Sequence, residues 1–115
     1  MSGKIAKLSH QVYFWLKNPD ASADLEALLA GLNSLKAIEV VRGIHIGVPA
    51  ATAPRDVVDQ SYSASLLVFF DTVEDEKIYD EHPLHQKFIN DHMHLWHKVQ
   101  VYDAFSNTTE VDFGM

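Results

Sequence analysis

Tyr79-Asp80-Glu81-His82-Pro83-Leu84-His85-Gln86-Lys87-Phe88 is the stretch on which the reading of this chain turns. The residue before a proline is pushed out of the α region, so a helix running into this stretch stops near Glu81. Pro83 has no N–H to waste and suits the first turn of a further helix. Upstream, Thr72 or Asp71 is a candidate cap, with Glu74 and Asp75 in the first turn, where the helix dipole favours carboxylates. Downstream, Leu84, Phe88, Ile89, Met93 and Trp96 carry a helix roughly through residue 96. One helical region is thus split in two at His82-Pro83.

The rest of the chain is built around that split. Residues 61–71 read as a strand that starts small and polar and ends apolar at Leu66-Leu67-Val68-Phe69-Phe70. Residues 50–60, rich in Pro, Ala and Thr, read as a loop. Residues 37–49 read as another strand, with Gly43 and Gly47 marking a bulge or bend. Before it, Leu25, Leu28, Leu29, Leu32 and Leu35 recur at spacings of three and four, the stripe of a core-facing helix started by Ser22. Residues 7–17 form the first strand. Val12, Phe14 and Leu16 share one face, and Gln11, Tyr13, Trp15 and Lys17 share the other. Residues 97–105 alternate again through Val99, Val101, Tyr102 and Phe105. Residues 106–115 read as a tail, or as an arm reaching a partner.

The order is βαββαβ with its second helix broken, the ferredoxin-like arrangement of the α+β class: a four-stranded antiparallel sheet with helices on one face. The other face would carry Tyr13, Trp15, Phe69 or Phe70, and Tyr102, too much aromatic surface to leave in water. The expectation is a homodimer formed through this open sheet face. No repeat or linker divides the 115 residues, which read as one domain with its core at about 7–105.

A net charge of −7 argues against partnership with nucleic acid or an anionic membrane. The absence of cysteine excludes disulfides, thiolate nucleophiles and thiolate-bound zinc. No apolar run approaches the ~20 residues of a membrane span, and Met1-Ser2-Gly3-Lys4 is not followed by a signal-peptide core. A soluble, cytoplasmic protein is expected, with no cofactor and no metal.

Seven histidines are many for this length, and five of them, His82, His85, His92, His94 and His97, fall in one stretch. The His82/His85 and His94/His97 pairs have metal-ligand spacing, but Pro83 breaks the first pair and no HExxH is present. For His92, His94 and His97 the expected roles are surface or capping. Acid–base chemistry fits Tyr79 and His85 better. A tyrosine hydroxyl can polarise a carbonyl, and a histidine titrating near neutrality can take a proton beside it. The bend at Pro83 can turn the two toward one point. Phe14, Leu66 or Val68, and Phe88 would supply apolar walls.

The segment Tyr79-x-x-His82-Pro83-x-His85-x-x-Phe88, following a strand that ends in Phe69-Phe70-Asp71, resembles the HPxHxxF signature of the stress-responsive A/B barrel domain family. His10-Gln11-Val12-Tyr13-Phe14 resembles that family's first strand, and Val101-Tyr102-Asp103-Ala104-Phe105 its last. The resemblance spans about residues 7–105. It implies a dimeric α/β barrel of two ferredoxin-like units packed sheet to sheet, with a cavity in each protomer. A plant polyketide cyclase of the family places its catalytic Tyr and His, by motif position, on Tyr79 and His85, and its first-strand His on His10. Three functions follow as expectations. The first is a protein that binds a small, mostly apolar ligand between sheet and helices. The second is a cofactor-free enzyme moving a proton on a carbonyl substrate. The third is haem or metal binding through a histidine.

Overall fold

The computed structural model describes residues 7–106. The elements run β1 (Leu8–Leu16), α1 (Ser22–Ser34), β2 (Gly43–Gly47), β3 (Ala64–Phe70), α2 (Val73–Glu81), α3 (Pro83–His92) and β4 (Trp96–Phe105), with 3₁₀ turns at Leu35–Ala37 and Met93–Leu95. The strands form one sheet in the order β2-β3-β1-β4. Every neighbouring pair is antiparallel. This is the α+β, ferredoxin-like architecture that the element order predicts. No described helix is long and apolar enough to cross a membrane.

The alternation in β1 is realised residue by residue: Leu8, His10, Val12, Phe14 and Leu16 are buried, and those between them are only partly covered. β3 alternates in register with it, so Ala64, Leu66, Val68 and Phe70 face the same way. Against this face α1 lays Leu28 and Leu32, both fully buried. Gly31 lets α3 come close. A Cβ there would sit 2.7 Å from His92 Nε2 and 2.9 Å from Nδ1.

Several boundaries differ from the sequence reading. β2 begins at Gly43 rather than residue 37, because Leu35 and Ile38 turn inward to close the core after α1. As an edge strand pairing only with β3, β2 has little to extend its ladder beyond Arg42, whose N–H reaches Phe69 O at 2.9 Å. Ala21, not Ser22, is the N-cap of α1, and no side chain caps it. α3 stops at His92, and Trp96 opens β4 instead of closing a helix. Of the two phenylalanines ending β3, Phe69 joins the open face and Phe70 the core. The tail at 107–115 lies outside the described residues.

The helix break falls where Pro83 puts it. Thr72 caps α2, its Oγ1 accepting from Asp75 N at 3.0 Å. His82 ends α2 and starts α3 at once, in an extended backbone conformation, with Nδ1 accepting from Leu84 N at 3.1 Å.

Candidate functional site

β1, β3, α2, α3 and β4 together line a half-open cavity of about 170 Å³. β1 contributes His10 and Phe14, β3 Leu66, α2 Tyr79, and α3 His85 and Phe88. Six of the seven residues expected to form the site therefore border one space. Val68 does not: it is fully buried in the sheet–helix core, as the β-ladder partner of His10.

The polar end of the cavity is tightly built. Tyr79 is fully buried. Its ring lies 4.7 Å from that of His85 and 6.0 Å from that of His10, centroid to centroid. An unbroken helix would set side chains six residues apart on different faces; the bend at His82 brings Tyr79 and His85 together. Among the described residues, neither the Tyr79 hydroxyl nor His85 Nδ1 has a hydrogen-bond partner, and both atoms are buried. Buried polar atoms are nearly always paired, so two orphans bordering one cavity are an exception to the rule. Trp96 Nε1, on another lining residue, is the third such atom.

His10 is fixed differently. Its Nδ1 lies 2.5 Å from Asp103 Oδ1, across the β1–β4 ladder where the two are direct partners. Asp103, Trp96 and Asp80 were not among the residues expected at the site. The signal was there for Asp103: Val99, Val101, Asp103 and Phe105 share one face of β4, and a carboxylate amid apolar residues on an inward face needs a partner.

Burial sets the proton affinities. It raises the Tyr79 hydroxyl well above the usual phenol range, with Glu76 and Asp80 adding to the shift, so the group remains a donor. Burial also lowers the His85 imidazole, outweighing the opposing pull of the Asp80 carboxylate and backbone, so the neutral form of the ring prevails at pH 7. A phenol that stays protonated thus stands beside an imidazole that is free to accept a proton. The remaining wall is apolar, with Phe14 and Phe88 in edge contact at 6.1 Å and Trp96 tilted over Phe14 at 5.0 Å.

The other histidines are elsewhere. His82 caps α3, His92 stacks on Phe88, and His45, His94 and His97 are exposed. Among the described residues no three His, Asp or Glu side chains are grouped to hold a metal ion.

A four-stranded sheet in the order β2-β3-β1-β4, covered on one face by a helix and a broken helix pair, defines a ferredoxin-like α+β protein. The chain belongs to the stress-responsive A/B barrel domain family, whose model matches residues 8–106. Solved structures agree. A hydroxynitrile lyase from Passiflora edulis is similar with a TM-score of 0.74 at 17% identity, over 89% of this chain and 94% of that one. A family protein from Mesorhizobium loti with a ferredoxin-like fold gives 0.72 at 21% identity, over 90% and 99%. A dimeric ferredoxin-like protein of unknown function from Thermobifida fusca gives 0.72 at 14% identity, over 89% and 92%. No curated protein matches the chain by sequence.

Proposed function

We propose that the cavity binds a small, mostly apolar ligand bearing a carbonyl group, and that Tyr79 and His85 act on it as a cofactor-free donor and base. The observation that carries this reading is the pair of unpartnered buried atoms, Tyr79 Oη and His85 Nδ1, on neighbouring rings at one cavity. The carbonyl oxygen accepts from Tyr79. His85 takes a proton from the adjacent carbon, the C–H electron pair moves into the enolate, and the hydroxyl steadies the oxygen as charge builds there. The proton then returns to carbon, or the enolate carbon attacks a second carbonyl, whose C=O π bond breaks and whose oxygen takes the proton back from His85. An engineered apolar cavity of about 150 Å³ holds benzene, so about 170 Å³ suits a single-ring ligand and is small for a porphyrin. That the same fold carries a hydroxynitrile lyase in a plant supports reading it as a frame for chemistry.

The test is deuterium wash-in from D₂O at the carbon beside the carbonyl of small aryl ketones, followed by NMR. Tyr79→Phe and His85→Gln should each slow it by about 10²–10⁴-fold. Ketones that bind without exchange would reduce the site to a binding pocket.

The protein is further proposed to work as a homodimer through the open sheet face. There Tyr13 packs against Tyr62 at 5.0 Å and Tyr102 at 6.2 Å, and Lys98 Nζ sits 4.4 Å over Trp15. A groove of about 430 Å³ runs between these rings. Fold neighbours from Thermobifida fusca and Bacteroides fragilis are described as dimeric, which supports the reading.

A further inference from the structure

The polar end of the cavity carries charge of one sign. Asp80 borders it, with Oδ1 3.9 Å from His85 Nδ1, beyond hydrogen-bond reach. Glu76 lies four residues earlier on α2 and so on the same helix face. It is half-buried, burial raises its carboxyl above the ordinary value, and it feels the charges of His10, Asp80 and Asp103. Asp103 completes the group from β4, bonded to His10. Among the described residues no lysine or arginine pairs with Glu76, Asp80 or Asp103, and none borders the cavity. His10, even as an imidazolium, offsets only the Asp103 carboxylate it holds. His85 is kept neutral by its burial. The unbalanced charge at this end therefore comes from Asp80 and Glu76. Independently of charge, the fully buried, unpartnered Tyr79 hydroxyl marks where a ligand's acceptor atom sits.

We propose that this cavity selects neutral carbonyl compounds against carboxylates of the same shape, and that Asp80 and Glu76 set the selection. A ketone takes the Tyr79 hydrogen bond without adding charge. A carboxylate in the same place offers the same oxygen but meets the Asp80 carboxylate at the cavity wall, with Glu76 adding its charge from one turn earlier on the same helix face, in a partly desolvated setting. Like charges a few ångströms apart under such screening weaken binding by at least about tenfold. The inference rests on the reading that the ligand enters this cavity.

Acetophenone and benzoate make the test, because they share ring, shape and number of non-hydrogen atoms and differ in charge. Each is titrated into the full chain at pH 7 and followed by NMR shifts of the cavity residues. Acetophenone should bind at least about tenfold tighter than benzoate. In the Glu76→Gln/Asp80→Asn double variant the ratio should narrow to within about threefold, through tighter benzoate binding. Both substitutions keep side-chain size on partly or fully exposed positions, and the same spectra report the fold. Equal affinities in the unmodified protein, or a preference for benzoate, would overturn the selection and leave the pocket standing. Failure of both probes to move any cavity resonance would overturn the pocket and the selection together.

Discussion

His10 and Asp103 face each other across the β1–β4 ladder, ring nitrogen to carboxylate at 2.5 Å, although 93 residues separate them in the chain. The contact fixes the orientation of His10, whose ring stands edge-on to Phe70 and Tyr79. Asp103→Ala leaves a buried histidine without its partner and should cost about 1–3 kcal/mol in denaturant unfolding. His10→Ala should change stability and acetophenone binding more than His94→Ala, because His94 is exposed. Equal and negligible effects at His10 and His94 would remove His10 from the site.

Tyr79→Phe removes a hydroxyl that is buried and unpaired, so the folded protein loses no hydrogen bond. The variant should be as stable as the parent or gain up to about 1 kcal/mol, while ligand binding weakens. Thermal unfolding beside the acetophenone titration checks both halves. A variant destabilised by more than about 1 kcal/mol would point to a partner for the hydroxyl within the protein.

His85 gives stability a pH dependence of defined sign. Its proton affinity in the folded chain lies below the ordinary value of 6.5, chiefly through burial. The unfolded chain therefore binds the extra proton first. The His85 contribution is complete above 6.5 and is lost as pH falls below it. Glu76 acts in the opposite sense: its carboxyl is raised from 4.5 by burial, so its favourable contribution is present below 4.5 and lost as pH rises through the folded value. Subtracting the His85→Gln stability curve from that of the parent isolates the histidine between pH 7 and 5. A difference that does not change with pH there would contradict its burial.

Gly31→Ala sets two effects against each other. Alanine gains about 0.5–1 kcal/mol over glycine inside a helix. Its Cβ overlaps the His92 ring, which cannot swing aside freely because Nδ1 bonds Phe88 O at 2.8 Å and the ring stacks on Phe88. Overpacking of this kind costs about 1–3 kcal/mol, so the single variant should be destabilised. Gly31→Ala in a His92→Ala background should be neutral or stabilising. A double-mutant cycle with no coupling would mean that α1 and α3 separate readily.

Trp15→Glu and Tyr13→Glu place charge on the open sheet face without touching the cavity. Light scattering should give twice the chain mass of 13.0 kDa for the parent and a single chain mass for the variants. A monomeric parent would end the dimer reading.

How far the sequence could be read depends on whether the signal is local. β1 was legible because β-forming residues crowd residues 12–16, although only the structure shows the alternating burial, and the α2–α3 break because proline acts on its immediate neighbour. The α1 leucines declare their face through spacing alone. Trp96 was misplaced because one large apolar residue at a helix–strand junction fits either pattern. The length of β2 depended on a single neighbouring strand and on Ile38 finding the core, neither of which is local. Tyr79 and His85 were legible as a pair through the bend. Asp103 was not, because its meaning comes from strand pairing with His10. Val68 shares the inward parity of Leu66, and only its position under the helices keeps it off the cavity wall.

The break between α2 and α3 is written twice, in the ring of Pro83 and in the imidazole of His82 that takes the Leu84 N–H. His82→Ala costs a cap, about 1 kcal/mol, but leaves the proline; a substituted Pro83 still leaves His82 ending one helix and starting the next. Were the two segments to fuse into one helix, at about 100° per residue His85 would swing some 240° around the axis from Tyr79. The geometry at the polar end of the cavity therefore hangs on one bend, at which a proline ring and a side-chain cap both oppose a continuous helix.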